Sequence, residues 1–221
     1  MSKAMQLLVG DCVEVLSRID LPNDVVFVTD PPFNIGYKYA KYKDKIPEDD
    51  YYKMLASLFT GHRHVIIHYP ESLYKYAIRT QNAPSKVVSW VYNSNTPKQH
   101  RDIAFFNIKP DMKKVGQPYK NPTDKRIKQR IDAGKMARLY DWWEINQVKN
   151  TNTEKTPHPC QMPVEVMKRI VGVLPDSATI IDPFLGSGTT AVACQQLDRA
   201  FIGIDVDPSY VAIARNRLNH E

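Results

Sequence analysis

The sequence is short of cysteine and has no long apolar run. Only Cys12, Cys160 and Cys194 occur in 221 residues, and no two of them form a Cys-x-x-Cys pair. Their scatter argues against a disulfide framework and leaves a structural zinc site without ligand spacing. No apolar run approaches the ~18 residues that a membrane span requires, and the first residues lack a signal-peptide core. We therefore expect an intracellular protein without a metal site.

Acidic residues are scarce in one segment of the chain. Residues 109–138 contain ten Lys or Arg against three Asp, a net charge of +7, whereas the whole chain carries +6. A localised basic block on a near-neutral body suggests a polyanion that docks at one place. The candidate binding residues in this block are Lys113, Lys114, Lys120, Lys125, Arg126, Lys128 and Arg130.

Short apolar runs alternate with amphipathic stretches, which predicts an α/β fold with a mainly parallel sheet covered by helices. We predict strands at 5–9, 24–29, 64–68, 86–92, 102–108, 179–181 and 201–204. Helices are predicted at 12–19, 47–59, 71–80, 163–173, 189–197 and 208–218. Between 109 and 156 the pattern becomes polar and basic, with one predicted helix near 123–133 and a Trp142-Trp143 pair that we interpret as a packing anchor. We therefore divide the chain into 1–108, a small basic insert at 109–156, and 157–221, with the outer parts forming one domain.

Two of the few glycines, Gly186 and Gly188, stand between a predicted strand and a predicted helix. Glycine lets the backbone pass close to a ligand, and the amides at the start of the helix point at that ligand. Asp205 ends the next strand, where a carboxylate can accept both hydroxyls of a ribose. The turn lacks the Lys of a phosphate loop and the third glycine of a dinucleotide fingerprint, which favours S-adenosylmethionine. The alternative is a structural turn without a ligand.

The stretch from Thr29 to Phe33 ends a predicted buried strand with two prolines. An exocyclic amine of a base is a poor nucleophile because its lone pair is delocalised into the ring. Asp30 can accept one of its N–H groups and the carbonyl of Pro31 the other, while Pro31 and Pro32 hold the turn stiff. Phe33 offers an aromatic face to a base that has been flipped out of a duplex. Taken alone, the same residues also fit an ordinary proline turn.

Tyrosines alternate with lysines directly after this turn, in residues 37–45. Such a tract fits a loop that closes over a flipped base and contacts phosphates. The candidate residues are Tyr37, Lys38, Lys41 and Lys43. A mobile surface loop is the alternative.

Four segments resemble one family, the DNA amino-methyltransferases. Residues 182–190, Asp-Pro-Phe-Leu-Gly-Ser-Gly-Thr-Thr, are similar to its cofactor signature, and residues 203–218 to the strand and helix that follow. The segment His158-Pro-Cys-Gln-Met-Pro163 resembles the one that precedes it, with Met162 where a Lys is usual, and Val9-Gly-Asp-Cys12 resembles the turn on the cofactor's adenine. The order of the parts resembles the circularly permuted β group, in which target recognition lies in the middle.

The resemblance implies a Rossmann-like methyltransferase fold and a site-specific enzyme that methylates the N6 amine of adenine in double-stranded DNA. S-adenosyl-L-methionine is the implied cofactor, and no metal is required. A bacterial or phage origin, a cytoplasmic location, a homodimer and a cognate restriction endonuclease are further expectations. The implied cofactor-binding residues are Asp11, Cys12, Asp30, His158, Pro159, Cys160, Asp182, Phe184, Gly186, Ser187, Gly188, Thr189, Thr190, Asp205 and Val206.

Three alternatives stay open. Enzymes that methylate N4 of cytosine more often carry Ser than Asp before the two prolines, so Asp30 favours adenine. A catalytically inactive DNA-binding homologue is disfavoured because the cofactor segments are complete. Finally, Pro159-Cys160-Gln161 resembles the nucleophile turn of cytosine carbon-5 methyltransferases. However, Cys160 precedes the glycine turn, and the Glu-Asn-Val partner of those enzymes is missing.

Overall fold

The computed structural model describes residues 3–220, which fold around one large sheet. The strands are β1 (Met5–Val9), β2 (Val25–Thr29), β3 (His64–His68), β4 (Lys86–Val91), β5 (His100–Phe106), β6 (Gly116–Gln117), β7 (Ala137–Arg138), β8 (Trp142–Glu144), β9 (Thr179–Asp182) and β10 (Phe201–Asp205). The helices are α1 (Cys12–Leu16), α2 (Glu48–Phe59), α3 (Pro70–Thr80), α4 (Lys128–Asp132), α5 (Val164–Gly172), α6 (Thr189–Gln196) and α7 (Pro208–His220).

The large sheet has eight strands in the order β1-β10-β9-β2-β3-β5-β4-β8, while β6 and β7 form a separate antiparallel pair. Within the part of the chain described, β5 is antiparallel to both its neighbours, and every other pair in the large sheet is parallel. The first residues of β5 therefore lie at the edge where the other seven strands end. The predicted α/β class with a mainly parallel sheet is confirmed.

Helices cover both faces of the sheet, and alternate residues of its strands serve two separate cores. Val26 and Val28 of β2 face a cluster that includes side chains of α5, α6 and α7. Val25 and Phe27 face the other cluster, with α2 and α3. A strand that is buried on both faces is expected to be a continuous apolar run, as β2 is. Both faces of the strand that precedes Asp30 are thus held by packing.

Most predicted elements differ from the structure by at most two residues in total, and three differ by more. The prediction of a helix near 123–133 was wrong outside Lys128–Asp132. Before this helix, Asn121 and Asp124 accept hydrogen bonds from the amides of Thr123 and Arg126, which form local turns instead. The strand predicted at 102–108 begins earlier, at His100, and ends at Phe106. The first helix ends at Leu16 rather than at 19. Directly after it, the hydroxyl of Ser17 donates to the carbonyl of Glu14.

The end of the basic insert contributes to the main sheet. Strand β8 pairs in parallel with β4, and Trp143 is buried with its indole N–H donated to the carbonyl of Tyr140 at 3.0 Å. Trp142 is 40% exposed and lies under the ammonium of Lys120, 4.6 Å from the ring centroid. The packing role predicted for the pair is confirmed for Trp143. Among the helices in residues 3–220, none has the length and apolar character to cross a membrane.

Candidate active site

A cavity of about 320 Å³ opens at the carboxyl edge of the sheet, where β2, β9 and β10 end and β5 begins. Its volume lies at the lower end of the range for small-molecule sites, and the edge is the one at which open α/β sheets bind ligands. Both turns singled out in the sequence, 30–33 and 183–189, contribute to its lining. The fold therefore brings together two segments that lie some 150 residues apart.

The carboxyl group of Asp30 sits at the back of this cavity. Its Oδ2 pairs with Nη1 of Arg101 at 3.3 Å, and both side chains are largely buried. Its Oδ1 is buried and has no hydrogen-bond partner among the described residues. Burial raises the pKa of Asp30 to about 6; Arg101 opposes this shift and the nearby Asp182 adds to it. The site thus holds a carboxylate oxygen that is short of donors.

Hydrogen bonds through His68 and Tyr51 hold the proline turn at residues 30–33. The amide of Tyr69 donates to Nδ1 of His68 at 2.8 Å, and burial lowers the pKa of His68 to about 3. The neutral ring therefore carries its proton on Nε2, which lies 3.0 Å from the hydroxyl of Tyr51. Tyr51 in turn donates to the carbonyl of Pro32 at 2.8 Å. Each of these donors has one acceptor, so side chains from β3 and α2 hold the proline turn in place.

Phe33 has more protein contacts than the sequence suggested. His68 stacks on its ring at 4.2 Å between centroids, and Tyr69 meets it edge-on at 5.0 Å. The guanidinium carbon of Arg101 lies over the same ring, 4.7 Å from the centroid. A base that stacks on Phe33 would therefore share the ring with these side chains. Tyr37, Tyr39 and Tyr69 are further aromatic residues that line the cavity.

The two glycines of the turn are required for protein contacts. At Gly186, where φ is +52°, a Cβ would lie 3.1 Å from Nε2 of His158, and at Gly188, where φ is +76°, it would lie 2.5 Å from Cβ of Ala214 in α7. The expectation that the glycines make room for a ligand stays a prediction for Gly186, whereas Gly188 makes room for protein. Gly186 admits the His158 ring and itself lines the cavity, whereas Gly188 allows α6 and α7 to pack closely and does not line it.

Asp205 and Asp182 end neighbouring strands but have different surroundings. Asp205 accepts the amides of Gly186 and Asp207, both at 2.8 Å, and burial raises its pKa. Each of its oxygens keeps a further lone pair for a ligand hydroxyl. Asp182 accepts three protein donors, the hydroxyls of Thr29 and Thr190 and the amide of Phe184. Burial raises the pKa of Asp182 to about 6. It connects parts of the site rather than facing a ligand with free oxygens.

The turn after β1 completes the cavity on the cofactor side. Asp11 caps α1 by accepting the amides of Val13 and Glu14 at 2.9 and 3.2 Å. The amide of Gly10 donates to the carbonyl of Asp205, which aligns this turn with the end of β10. Thirteen of the fifteen predicted cofactor residues line the cavity, and Pro159 and Gly188 do not. The remaining members are Asp11, Cys12, Asp30, His158, Cys160, Asp182, Phe184, Gly186, Ser187, Thr189, Thr190, Asp205 and Val206.

Residues 37–45, the tyrosine-rich loop, are closed at their base by the side chain of Asp44. This buried carboxylate accepts the amides of Asn34 and Tyr37 at 2.7 and 2.9 Å, and Asn34 exchanges two hydrogen bonds with Ile46. Lys38 and Lys43 pair across the loop as an isolated β-bridge. Of the residues predicted to contact DNA here, Tyr37 and Lys41 line the cavity.

The predicted residues of the basic insert do not form one set. Lys114 donates to the carbonyl of Leu174 and pairs with Asp176, before the first residue of β9 and hence at the edge opposite the cavity. Arg126 pairs with Asp124, and Lys128 with Asp132. Within the described residues, no carboxylate lies within 4.0 Å of the remaining four, Lys113, Lys120, Lys125 and Arg130.

Arg101 is the main site residue that sequence reasoning missed. The predicted strand began at Asp102 and was not given a direction. The available signal was the short connection of residues 92–99 between β4 and β5, since parallel neighbours need a crossover of a dozen residues or more. An antiparallel β5 brings its first residues, and Arg101 with them, to the carboxyl edge.

Cys160 lines the same cavity as Asp30. Cys160 is exposed, but its neighbours partly desolvate the thiol and raise its pKa above an ordinary value that already exceeds 7, so at neutral pH the sulfur is protonated and is a poor nucleophile. Among the described residues, no group of three or more His, Cys, Asp or Glu side chains is placed to hold a metal ion.

Comparison with known proteins agrees with this geometry. The family model described as DNA methylase, of the N6/N4 type, matches residues 62–216. The Type II methyltransferase M.HpaI of Haemophilus parainfluenzae is 25% identical over 244 residues, which cover 98% of this chain and 74% of the relative.

Solved structures show the same fold at lower identity. The cytosine-N4-specific PvuII DNA methyltransferase superposes with a TM-score of 0.71 at 15% identity, over 98% of this chain and 87% of the other. The complex of M1.HpyAVI with S-adenosylmethionine superposes with a TM-score of 0.61 at 21% identity, over 96% and 99% of the two chains. The Rossmann-like methyltransferase fold predicted from the motifs is confirmed. The chain belongs to the N6/N4 DNA methyltransferase family.

Proposed function

We propose that this methyltransferase modifies the N6 amine of adenine in double-stranded DNA. The observation that carries the proposal is Oδ1 of Asp30, a buried acceptor with no partner among the described residues, at the back of a cavity that also receives the glycine turn. A buried carboxylate oxygen without a donor is unfavourable unless a ligand supplies one. An amino group of a flipped base is such a donor.

S-adenosyl-L-methionine is the methyl donor, and when bound it supplies an electrophilic methyl group. Asp205 would hold its ribose hydroxyls, since this residue lines the cavity and each of its carboxylate oxygens has a lone pair to spare. The turn at Asp11 and Cys12, together with Val206, would border its adenine ring. The thiol of Cys12, whose pKa burial raises to about 12, stays neutral and suits contact with a base.

The catalytic turn would act on the target amine by orientation and electrostatics. Asp30 accepts one N–H through Oδ1, and the carbonyl of Pro31 accepts the second, because the carbonyl of Pro32 is already bonded to Tyr51. Two acceptors draw the nitrogen away from conjugation with the ring and direct its lone pair at the methyl group.

Adenine is favoured over cytosine by the residue that precedes the two prolines. Asp30 is a full carboxylate, whereas the resemblance associates Ser at this place with enzymes that act on N4 of cytosine. The second candidate is nevertheless specific, since the PvuII methyltransferase that shares this fold is cytosine-N4-specific. Both amines would use the same pair of acceptors.

DNA would bind across the carboxyl edge, with Tyr37 and Lys41 beside the cavity and the cations of the insert further out. The insert at 109–156 is proposed as the target-recognition segment between the two halves of the methyltransferase domain. A homodimer and a cognate restriction endonuclease stay predictions.

The test is incubation of the protein with unmethylated DNA and S-adenosylmethionine that carries a labelled methyl group, followed by nucleoside mass spectrometry. We expect label in N6-methyl-2′-deoxyadenosine, and sequencing of the modified DNA then gives the recognition site. Label in N4-methyl-2′-deoxycytidine would transfer the assignment to the second candidate, and absence of label with DNA bound would indicate an inactive homologue.

A further inference from the structure

We propose that Arg101 is a positioning residue that holds Asp30 ionised and oriented, with Oδ1 directed at the target amine. This inference rests on the proposed function, because it takes Asp30 as the acceptor of a substrate N–H. It goes beyond the sequence motifs, none of which includes Arg101.

The first observation is that the two oxygens of Asp30 are divided between two tasks. Nη1 of Arg101 lies 3.3 Å from Oδ2, while Oδ1 is buried without a partner in the described part of the chain. A carboxylate can rotate about its Cβ–Cγ bond, but a charged donor on one oxygen fixes its orientation and leaves the other oxygen free to accept from a ligand. Arg101 therefore reserves Oδ1 for the substrate.

The second observation is that Arg101 is itself held in place on several sides. Its guanidinium lies over Phe33 and over Trp90, 4.7 and 5.4 Å from the two ring centroids. The same Nη1 that contacts Asp30 lies 3.4 Å from the sulfur of Met162. The side chain is only 16% exposed. A cation fixed by aromatic faces in this way is pre-organised rather than drawn in from solvent.

The third observation concerns charge at the back of the cavity. Burial alone would favour a protonated Asp30, which could not accept a substrate N–H through that proton-bearing oxygen. Arg101 lowers the pKa of Asp30 against this effect, and Asp30 in turn raises the pKa of the guanidinium, so the two charges support each other. The titratable or charged groups that face Asp30 are Arg101 from β5, Asp182 from β9, Tyr51 from α2, Tyr92 after β4, Tyr39 from the tyrosine-rich loop and Cys160.

The direction of the pH effect follows from these groups. Methylation requires ionised Asp30, so the rate falls as pH drops through the pKa of Asp30, about 6. This fall is the acidic limb of the pH–rate profile. Without the Arg101 charge, the acidic limb moves to higher pH. A limb displaced to about 7.5 would lower kcat/KM about eightfold at pH 6.5 and leave kcat/KM at pH 9 nearly unchanged.

The experiment compares the pH dependence of kcat/KM, which reports the free enzyme, for the wild type, Arg101→Met and Arg101→Lys. We expect the acidic limb of Arg101→Met to move up by a unit or more, and that of Arg101→Lys to stay within half a unit. Lys98→Met is the matched control. It removes a cation of the same hairpin, but this cation lies over the ring of Tyr69 rather than beside Asp30. Its acidic limb should not move. A limb of Arg101→Met equal to that of the wild type would overturn the proposal.

A second variant separates charge from packing. The double variant Arg101→Met with Met162→Lys supplies an ammonium from the position whose sulfur touches Arg101. It should return the acidic limb at least halfway to the wild-type position, whereas a merely structural role of Arg101 predicts no return.

A direct titration keeps this inference distinct from the proposed function. In protein labelled with ¹³C at the aspartate carboxyls, the Asp30 resonance is identified by its loss in Asp30→Asn. Its midpoint should lie near 6 in the wild type and higher in Arg101→Met, whether or not DNA is methylated. Equal midpoints would refute the role of Arg101, while absence of methylation by the wild type would refute only the proposed function.

Discussion

Thr29 donates its hydroxyl hydrogen to Oδ1 of Asp182 at 2.9 Å, and both side chains are buried. Thr29 is the last residue of β2 and precedes Asp30, while Asp182 is the last residue of β9 and precedes the glycine turn. One buried hydrogen bond thus joins the catalytic turn to the cofactor turn. Neither motif reveals this link when read alone.

Replacement of Thr29 by Val tests the energetic weight of this link. Valine keeps the shape and removes the donor, so we expect a loss of about 1–2 kcal/mol in the free energy of unfolding. Urea denaturation measures the difference. Thr179→Val, in the neighbouring strand β9, is the matched control because that hydroxyl makes no side-chain hydrogen bond within residues 3–220. We expect it to change stability by less than ~0.5 kcal/mol; an equal loss in both variants would deny the link.

Gly188→Ala is expected to destabilise the protein through helix packing. The new Cβ would lie 2.5 Å from Cβ of Ala214, at a φ of +76° that L-residues rarely adopt. Overpacking and the left-handed backbone together cost about 2–4 kcal/mol, which thermal or urea unfolding can measure.

The partner substitution Ala214→Gly identifies the cause of that loss. In the double variant the Cβ–Cβ clash is absent, so the two changes should be less harmful together than their sum by about 1 kcal/mol or more. Strict additivity would mean that backbone strain alone explains the effect.

Cys160→Ala should retain most methyltransferase activity. The thiol lines the cavity, but its raised pKa makes it a poor nucleophile. Asp30 is the residue that we assign to the target amine. Steady-state rates with DNA and S-adenosylmethionine provide the measurement. Near-complete loss of activity in a variant that still folds and binds cofactor would instead assign Cys160 as a covalent nucleophile.

Much of the fold was predictable because local patterns and tertiary packing agree. The run of apolar residues in β2 and the proline turn after it were recognised from the sequence, and so was the strand, glycine turn and helix around Gly186. Such runs are specific because burial on both sheet faces demands them. The cofactor side of the cavity was predicted from the glycine turn, from Asp205 and from the resemblance of four segments to the family.

What the sequence did not show depends on strand direction and on competing hydrogen bonds. Arg101 reaches the site only because β5 is antiparallel, a property of the short connection before it rather than of its own residues. Lys114 looked like its basic neighbours but is held by Asp176, which lies 62 residues away in the chain. The role of Gly188 follows from its distance to Ala214, which no sequence pattern encodes.

The basic insert should bind phosphates in a way that depends on salt. We expect the double variant Lys120→Gln with Lys125→Gln to weaken DNA binding and to reduce the slope of log K against log salt by about 0.9 for each phosphate that is no longer neutralised. Fluorescence anisotropy over a range of salt concentrations measures the slope.

The control for this measurement removes two cations elsewhere. Lys53 and Lys75, in α2 and α3, are both changed to Gln, which gives the same net charge as the insert variant. Its slope should stay closer to that of the wild type. Identical slopes for both double variants would show that overall charge, rather than the insert, governs binding.

The central claim is that Asp30 acts chiefly on the target amine, although the family resemblance also places it among the cofactor-binding residues. The most direct measurement is methyl transfer by Asp30→Ala beside its affinity for S-adenosylmethionine, determined by calorimetry on the same preparation. Asp30 lines the cavity and its buried Oδ1 has no partner in the described residues, so we expect a loss of transfer of a thousandfold order, with cofactor affinity nearly unchanged. Loss of cofactor binding in step with activity, or retained transfer, would contradict it.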